Sequence, residues 1–167
     1  LKIIKEFNDK RIRVFIHKGL GLIESLNFGI LKTESLYIAR MDSDDLSHPK
    51  RLEKQIKLLE SSNADICGCN YFKINQDSII LQNYVVPIDQ KDLYIKIASN
   101  VPFCHGSLVA KTKIFKKFNY GSGENNIVED YYLWTKMMTN GITFTNVNEY
   151  LYFLRVHSNS RSNKNNN

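Results

Sequence analysis

"YIARMDSDDLSHPKRLEKQ", residues 37 to 55, is the stretch whose reading decides the fold of this 167-residue chain. An apolar run from Tyr37 to Met41 ends in three carboxylates, Asp42, Asp44 and Asp45. A polar turn follows, Pro49 falls in the first turn of a helix, and Leu52, Ile56 and Leu59 form that helix's apolar stripe. The pattern is a buried strand, an acidic turn and an amphipathic helix.

The same alternation extends in both directions. "LKIIKEF" at the start has helical spacing and no N-cap ahead of Leu1, so it reads as the last turns of a helix. "RIRVFIH" (11–17) is a β-rich run, "GLGLIESLNFGILKT" places Leu22, Leu26 and Ile30 on one helical face, and 35–41 is a strand. Downstream, strands are expected at 64–74 and 78–86, a helix over 89–99 with Asp89 as its cap, and a strand running into a short helix over 106–118. A strong helix comes next at 128–141, then two strands, "ITFTNV" and "YLYFLRVH". Alternating strands and helices imply right-handed crossovers and an α/β fold with a mostly parallel sheet. Ligands of such sheets bind beyond the carboxyl ends of strands, which is where the acids stand. The domain is expected over 1–157, with the Asn/Ser-rich segment 158–167 as a disordered tail.

Composition narrows the classes. A hydrophobic fraction of 43% with 24% charged residues belongs to a globular domain, and no apolar run reaches the length of a membrane span. Cys67, Cys69 and Cys104 are an odd set without a metal-site spacing, so buried thiols in a reducing compartment are expected. The net charge of +6 favours anionic partners, but the lysines are scattered apart from those between Lys111 and Lys117. A nucleic-acid-binding module would need a contiguous basic and aromatic face. The acid cluster argues against one, and no nucleic-acid partner is expected.

Hard divalent cations take carboxylate oxygens and keep water or substrate phosphate in the remaining positions. Asp42 and Asp44, two residues apart at a strand end, can address one ion; a turn with a helix N-cap, using Asp45 and Ser47, is the competing role. An EF-hand fails, because Leu46 and Ser47 occupy its fifth and sixth positions and Pro49 interrupts the loop. Glu129 and Asp130 open the later helix after the Gly-containing loop 119–126, which reads as mobile; a carboxylate there can act as a general base or merely complement the helix dipole. Arg155 and His157 share one face of the last strand and can meet a phosphate or a metal. His105 sits in a Pro/Gly-bounded loop, where hydrogen bonding to backbone is the default.

Together these segments resemble the family 2 glycosyltransferases of the GT-A fold. "MDSDDLSHPKRLEKQ" is similar to their strand, D-x-D-D, turn and R-L-x-x-Q helix; "VEDYYLW" resembles E-D-x-x-L/F-W; "YFLRVHSNSRS" is similar to their closing Y-R-x-H-x-x-S-x-S. "VPFCHGSLVAKTKIF" is similar to the stretch where they carry a His before a strand. The resemblance covers roughly 1 to 162 and implies a nucleotide-diphospho-sugar donor, a saccharide or glycolipid acceptor, and Mn²⁺ or Mg²⁺. It implies Asp42, Asp44 and Arg155 as donor-diphosphate ligands, with Asp44, Asp42 and His157 around the metal. Asp130, with Glu129 nearby, becomes the base of an inverting transfer, and His105 and Trp134 fall on the acceptor side or its loop.

The family's usual opening strand and its "V-D-D-G-S" strand have no counterpart here, which matches the uncapped start and a deficit of about 50 to 60 residues by domain-size norms. The isolated chain is therefore expected to turn over little or no nucleotide sugar. A scaffold without catalysis is the alternative. The expected setting is cytoplasmic, with lysines able to hold the chain at an anionic membrane surface.

Overall fold

The computed structural model describes residues 2–17, 19, 21–121 and 129–157. The tail 158–167 and residues 122–128, which include most of the loop 119–126 expected to be mobile, lie outside them. Six strands, β1 (Tyr37–Ala39), β2 (Leu46–Ser47), β3 (Ile66–Ile74), β4 (Ile80–Tyr84), β5 (Val109–Lys111) and β6 (Phe144–Arg155), make one sheet of order β1-β5-β3-β6-β2. β4 pairs with the second half of β3, beyond the part that β5 takes. The helices are α1 (Lys2–Glu6), α2 (Leu22–Leu31), α3 (Arg51–Ser62), α4 (Gln90–Ile97), α5 (Thr112–Lys117) and α6 (Glu129–Thr139).

The α/β expectation holds, with one correction to its sheet. Among the described strands only β3 and β6 pair in parallel; the other pairings are antiparallel. The reason is partly connection length. Residues 75–79 turn β3 straight back into β4, and so short a link cannot make a parallel crossover. Asn75 builds that turn, its Oδ1 accepting the N–H groups of Asp77 and Ile79 at 3.0 and 2.8 Å.

The two faces of the sheet bury different partners. α3 covers one, packing Leu59 against Cys67, Cys69, Val109 and Tyr152. The other carries Leu93 of α4, Phe115 of α5, and Trp134 and Met137 of α6 over Ile66, Leu108 and Phe144. Cys67 and Cys69 share a face, as two-residue spacing demands, and burial pushes their thiols up to about 12 and about 11. Cys104 joins that cluster as a third free, buried thiol.

Three local expectations change. Residues 11–17 form no strand; Phe15 and His17 lie edge-on to Phe28 of α2, and Ile12 and Ile16 are well exposed. A β-rich run becomes a strand only beside an edge that accepts its hydrogen bonds, and none pairs with it among the described residues. The two closing strands are one strand, β6, with register shifts opposite Cys69, Asn70 and Tyr71. Such a bulge bends the strand and re-aims the side chains beyond it, here Tyr152 and Arg155. Finally, α3 buries Arg51, Gln55 and Leu59, while Leu52 is exposed.

Candidate active site

The exchange of Leu52 for Arg51 and Gln55 on the buried face of α3 has its cause in the backbone beneath. Several carbonyls end there without a ladder partner, and buried carbonyls need donors. Arg51, 2% exposed, donates to Ser47 Oγ at 2.8 Å, to Gly106 O at 3.3 Å and to Arg40 O at 3.4 Å. One turn on, Gln55 Nε2 donates to Cys67 O and Ser107 O, both at 2.9 Å. The i, i+4 spacing thus fixes the ends of β1 and of the 3-10 turn His105–Ser107 to one helix.

The acid turn is held from below. Asp45 is buried at 4% exposure, and its carboxylate accepts the Tyr152 hydroxyl and the Arg155 backbone N–H, the latter at 2.7 Å. Burial pushes the Asp45 pKa up against those two hydrogen bonds. Asp45 therefore anchors the turn to β6. It does not start the helix: Lys50 is the N-cap position of α3, and no side chain caps it. Tyr152 also accepts the Asp42 N–H at 3.4 Å, and the Arg51 guanidinium lies 5.2 Å from its ring centre.

Gly106 is the reason Tyr152 can reach this position, since a Cβ there would stand 2.1 Å from its hydroxyl oxygen. Gly106→Ala is expected to displace Tyr152 and loosen the acid turn, while Tyr152→Phe, which keeps the ring, should cost about 1–3 kcal/mol by leaving the buried Asp45 short of a donor. Urea unfolding of both variants measures this, and an unchanged midpoint in both would refute the anchoring role.

Above this floor lies a pocket of about 600 Å³ lined by Arg40, Asp42, His105, Asp130 and Arg155 among others. Four of the residues expected from sequence therefore meet in one cavity: Asp42, His105, Asp130 and Arg155. Asp130 enters from the first turn of α6, and burial, with the Glu129 charge adding to it, holds its pKa above the ordinary carboxylate value. Glu129 precedes it on the same turn, half-buried. His105 is pushed down to about 3 by burial and by Arg40, so it is a neutral ring, 2.6 Å from the Tyr120 hydroxyl. Trp134 is fully buried in the core beneath, edge-on to His105 at 5.6 Å, and supports the His ring without lining the pocket.

Asp42 is paired with Arg40, which sequence reasoning passed over. An arginine inside an apolar strand was the available signal. Asp44 lies beside His157, its Oδ2 3.2 Å from Nε2. Adjacent ligands of an octahedral ion at about 2.1 Å stand about 3 Å apart, so this pair already spans one coordination edge. Among the described residues no three His, Cys, Asp or Glu side chains form a cage. Asp44 and His157 thus offer two neighbouring donors, and an ion there would take the rest of its shell from substrate phosphate and water.

Arg155 lines the pocket but is heavily committed. It donates to Asp44 O at 2.8 Å, Asn75 O at 2.7 Å, Gln76 O at 2.9 Å and Ser78 Oγ at 3.1 Å. Those bonds clamp the acid turn to the β3–β4 turn.

The chain matches the family model described as Glycosyl transferase family 2 over residues 1–118. It is 33% identical over 94% of its length to the bifunctional glycosyltransferase pgtA of Dictyostelium discoideum, of which it covers 25%. It is 32% identical over 91% of its length to the O-antigen biosynthesis glycosyltransferase WbnJ of Escherichia coli, of which it covers 60%. Among solved structures, S. aureus TarS 1–349 superposes with a TM-score of 0.62 at 14% identity, over 81% of this chain and 40% of that one, a likeness of fold. TarS has also been crystallised with UDP-GlcNAc. The chain thus spans between a quarter and three fifths of these relatives, and the family match covers its acid turn as well as α3 and β5. By that match and those identities the chain belongs to glycosyl transferase family 2.

Proposed function

We propose that this chain carries the donor-diphosphate and base-bearing part of a glycosyltransferase. It moves a sugar from a nucleotide-diphospho-sugar to an acceptor hydroxyl, with inversion and with Mn²⁺ or Mg²⁺ bound. The observation that carries this reading is that Asp130 and the Arg40–Asp42 pair line one pocket. In this reading Asp130 takes the proton of the acceptor hydroxyl as its oxygen attacks the anomeric carbon. The new glycosidic bond forms on the face opposite the leaving group, and the old bond's electron pair departs with the nucleoside diphosphate. A divalent ion held by Asp44, Asp42 and His157 would supply charge stabilisation for that diphosphate. Neutral His105 can hydrogen-bond a sugar hydroxyl without adding charge.

The names of relatives support a saccharide or glycolipid acceptor, since WbnJ is named for O-antigen and AmsE of Erwinia amylovora for amylovoran biosynthesis. The crystals of TarS with UDP-GlcNAc and with UDP support a uridine nucleotide donor. Among the described residues no helix is long and apolar enough to cross a membrane. A reducing cytoplasmic setting suits three buried thiols, and lysines can hold the chain at an anionic surface.

A thermal-shift series with UDP-, GDP-, dTDP- and CMP-sugars, with and without Mn²⁺, tests the reading. At a hundredfold excess over Kd, a true donor adds about 2.7 kcal/mol of stability, or about 5–10 °C for a domain of this size. Asp44→Ala should abolish the metal-dependent part. Indifference to every donor in the presence of metal would sink the proposal.

A further inference from the structure

The pocket holds more positive charge than the donor reading uses. Of its lining cations, Arg40 is paired with Asp42 and Arg155 is spent on backbone and Ser78. That leaves Lys73 and Lys96, which also line the pocket and have no carboxylate partner among the described residues. Lys73 stands on β3 with its Nζ 4.8 Å from the ring centre of Tyr84. Tyr84 stacks on Tyr71, the centroids 4.7 Å apart and the rings within 2° of parallel. The Tyr71 hydroxyl faces no protein hydrogen-bond partner among the described residues although the ring is half-buried.

These groups are tied to the base. Tyr131 donates its hydroxyl to Ile97 O at 2.9 Å, which joins the last turn of α4, carrying Lys96, to the first turn of α6, carrying Asp130. Tyr71, Lys73, Tyr84 and Lys96 line the same pocket as Asp130, so an acceptor whose hydroxyl meets Asp130 shares the cavity with them.

We propose that Tyr71, Lys73, Tyr84 and Lys96 form an acceptor subsite for an acidic saccharide, one bearing a carboxylate or phosphate close to the attacking hydroxyl. The inference rests on the transferase reading, and charge balance drives it. A donor diphosphate brings its own divalent cation to Asp44 and Asp42, so two further unpaired ammonium groups in a half-buried pocket call for a second anion. The aromatic wall supplies apolar contact for a pyranose face or edge, and the free Tyr71 hydroxyl supplies a hydrogen bond.

The test titrates the chain, loaded with a UDP-sugar and Mn²⁺, with three disaccharides by isothermal calorimetry: one ending in glucose, one in glucuronate and one in glucose 6-phosphate. Both charged probes should bind about tenfold tighter or more than the neutral one, the better of the two identifying the anion. Lys73→Gln/Lys96→Gln should erase that preference while leaving the donor's thermal shift unchanged. Equal binding of charged and neutral probes would overturn the subsite, as would loss of donor binding in the double variant, which would give the lysines to the diphosphate. If no donor stabilises the unsubstituted chain but the charge preference stands, the transferase reading fails and the acidic-saccharide site survives.

Discussion

Asp130→Asn is expected to lower sugar transfer by about 10²- to 10⁴-fold, the range a positioned general base contributes. The same substitution leaves the protein at least as stable at neutral pH. Both outcomes come from one fact, that burial and the neighbouring Glu129 hold the Asp130 pKa above its usual value. Between the unfolded value and that raised folded value, the native state binds the extra proton. Stability accordingly falls as pH rises through the window, and a neutral amide removes the penalty above it. Activity runs the other way, because only the ionised carboxylate accepts a proton. The acid limb of the kcat/KM profile should therefore lie above the range of a free carboxylate, near 4 by the reference value of about 3.9, and vanish with Asp130→Asn. A variant that loses activity and stability together would make Asp130 a structural residue. An unchanged rate would remove the base assignment altogether.

The boundary between legible and hidden features of this chain is a physical one. The acid turn, α6 and the strand β3 were legible, because periodicity reports burial and strands that end in carboxylates expose a charge that must be satisfied. The role of residues 11–17 was not legible, since a strand exists only by virtue of an edge beside it. The division of labour within "DSDD" was legible in part: Asp45 was expected to serve the turn and the helix start, and it anchors the turn without capping α3. Asp42, Asp44 and Asp45 are chemically identical on paper, yet Asp45 alone is buried, because the bulge in β6 brings Tyr152 and the Arg155 N–H beneath it. That contact spans more than a hundred residues of sequence. Arg155 shows the same limit. Its charge suggested a phosphate ligand, whereas four hydrogen bonds to neighbouring turns occupy its guanidinium. Apolar-stripe reasoning misread α3 for a related cause: a face that covers backbone carbonyls needs donors, and hydropathy does not register that need.

Arg51→Ala is the substitution expected to cost the fold most, about 2–5 kcal/mol by urea unfolding. The guanidinium is buried, so its removal strands the carbonyls of Arg40 and Gly106, each worth about 1–3 kcal/mol when left without a donor. The lost stem also leaves Tyr152 unpacked on the side where the guanidinium now lies over its ring. Arg51→Met separates the two effects. It keeps the stem and loses the donors, so it should recover the packing share of the loss and leave the carbonyl share. Arg51→Lys should recover little more, because one ammonium cannot reach Ser47, Arg40 and Gly106 at once as a planar fork does. Since those carbonyls belong to the end of β1 and to the turn beside His105, the damage should appear in donor binding before global unfolding does. The Mn²⁺-dependent thermal shift with a UDP-sugar is expected to fall in Arg51→Met at temperatures where its circular dichroism is still native. Full donor binding in Arg51→Met would show that the acid turn keeps its shape without these bonds, and that α3 supports the fold and not the site.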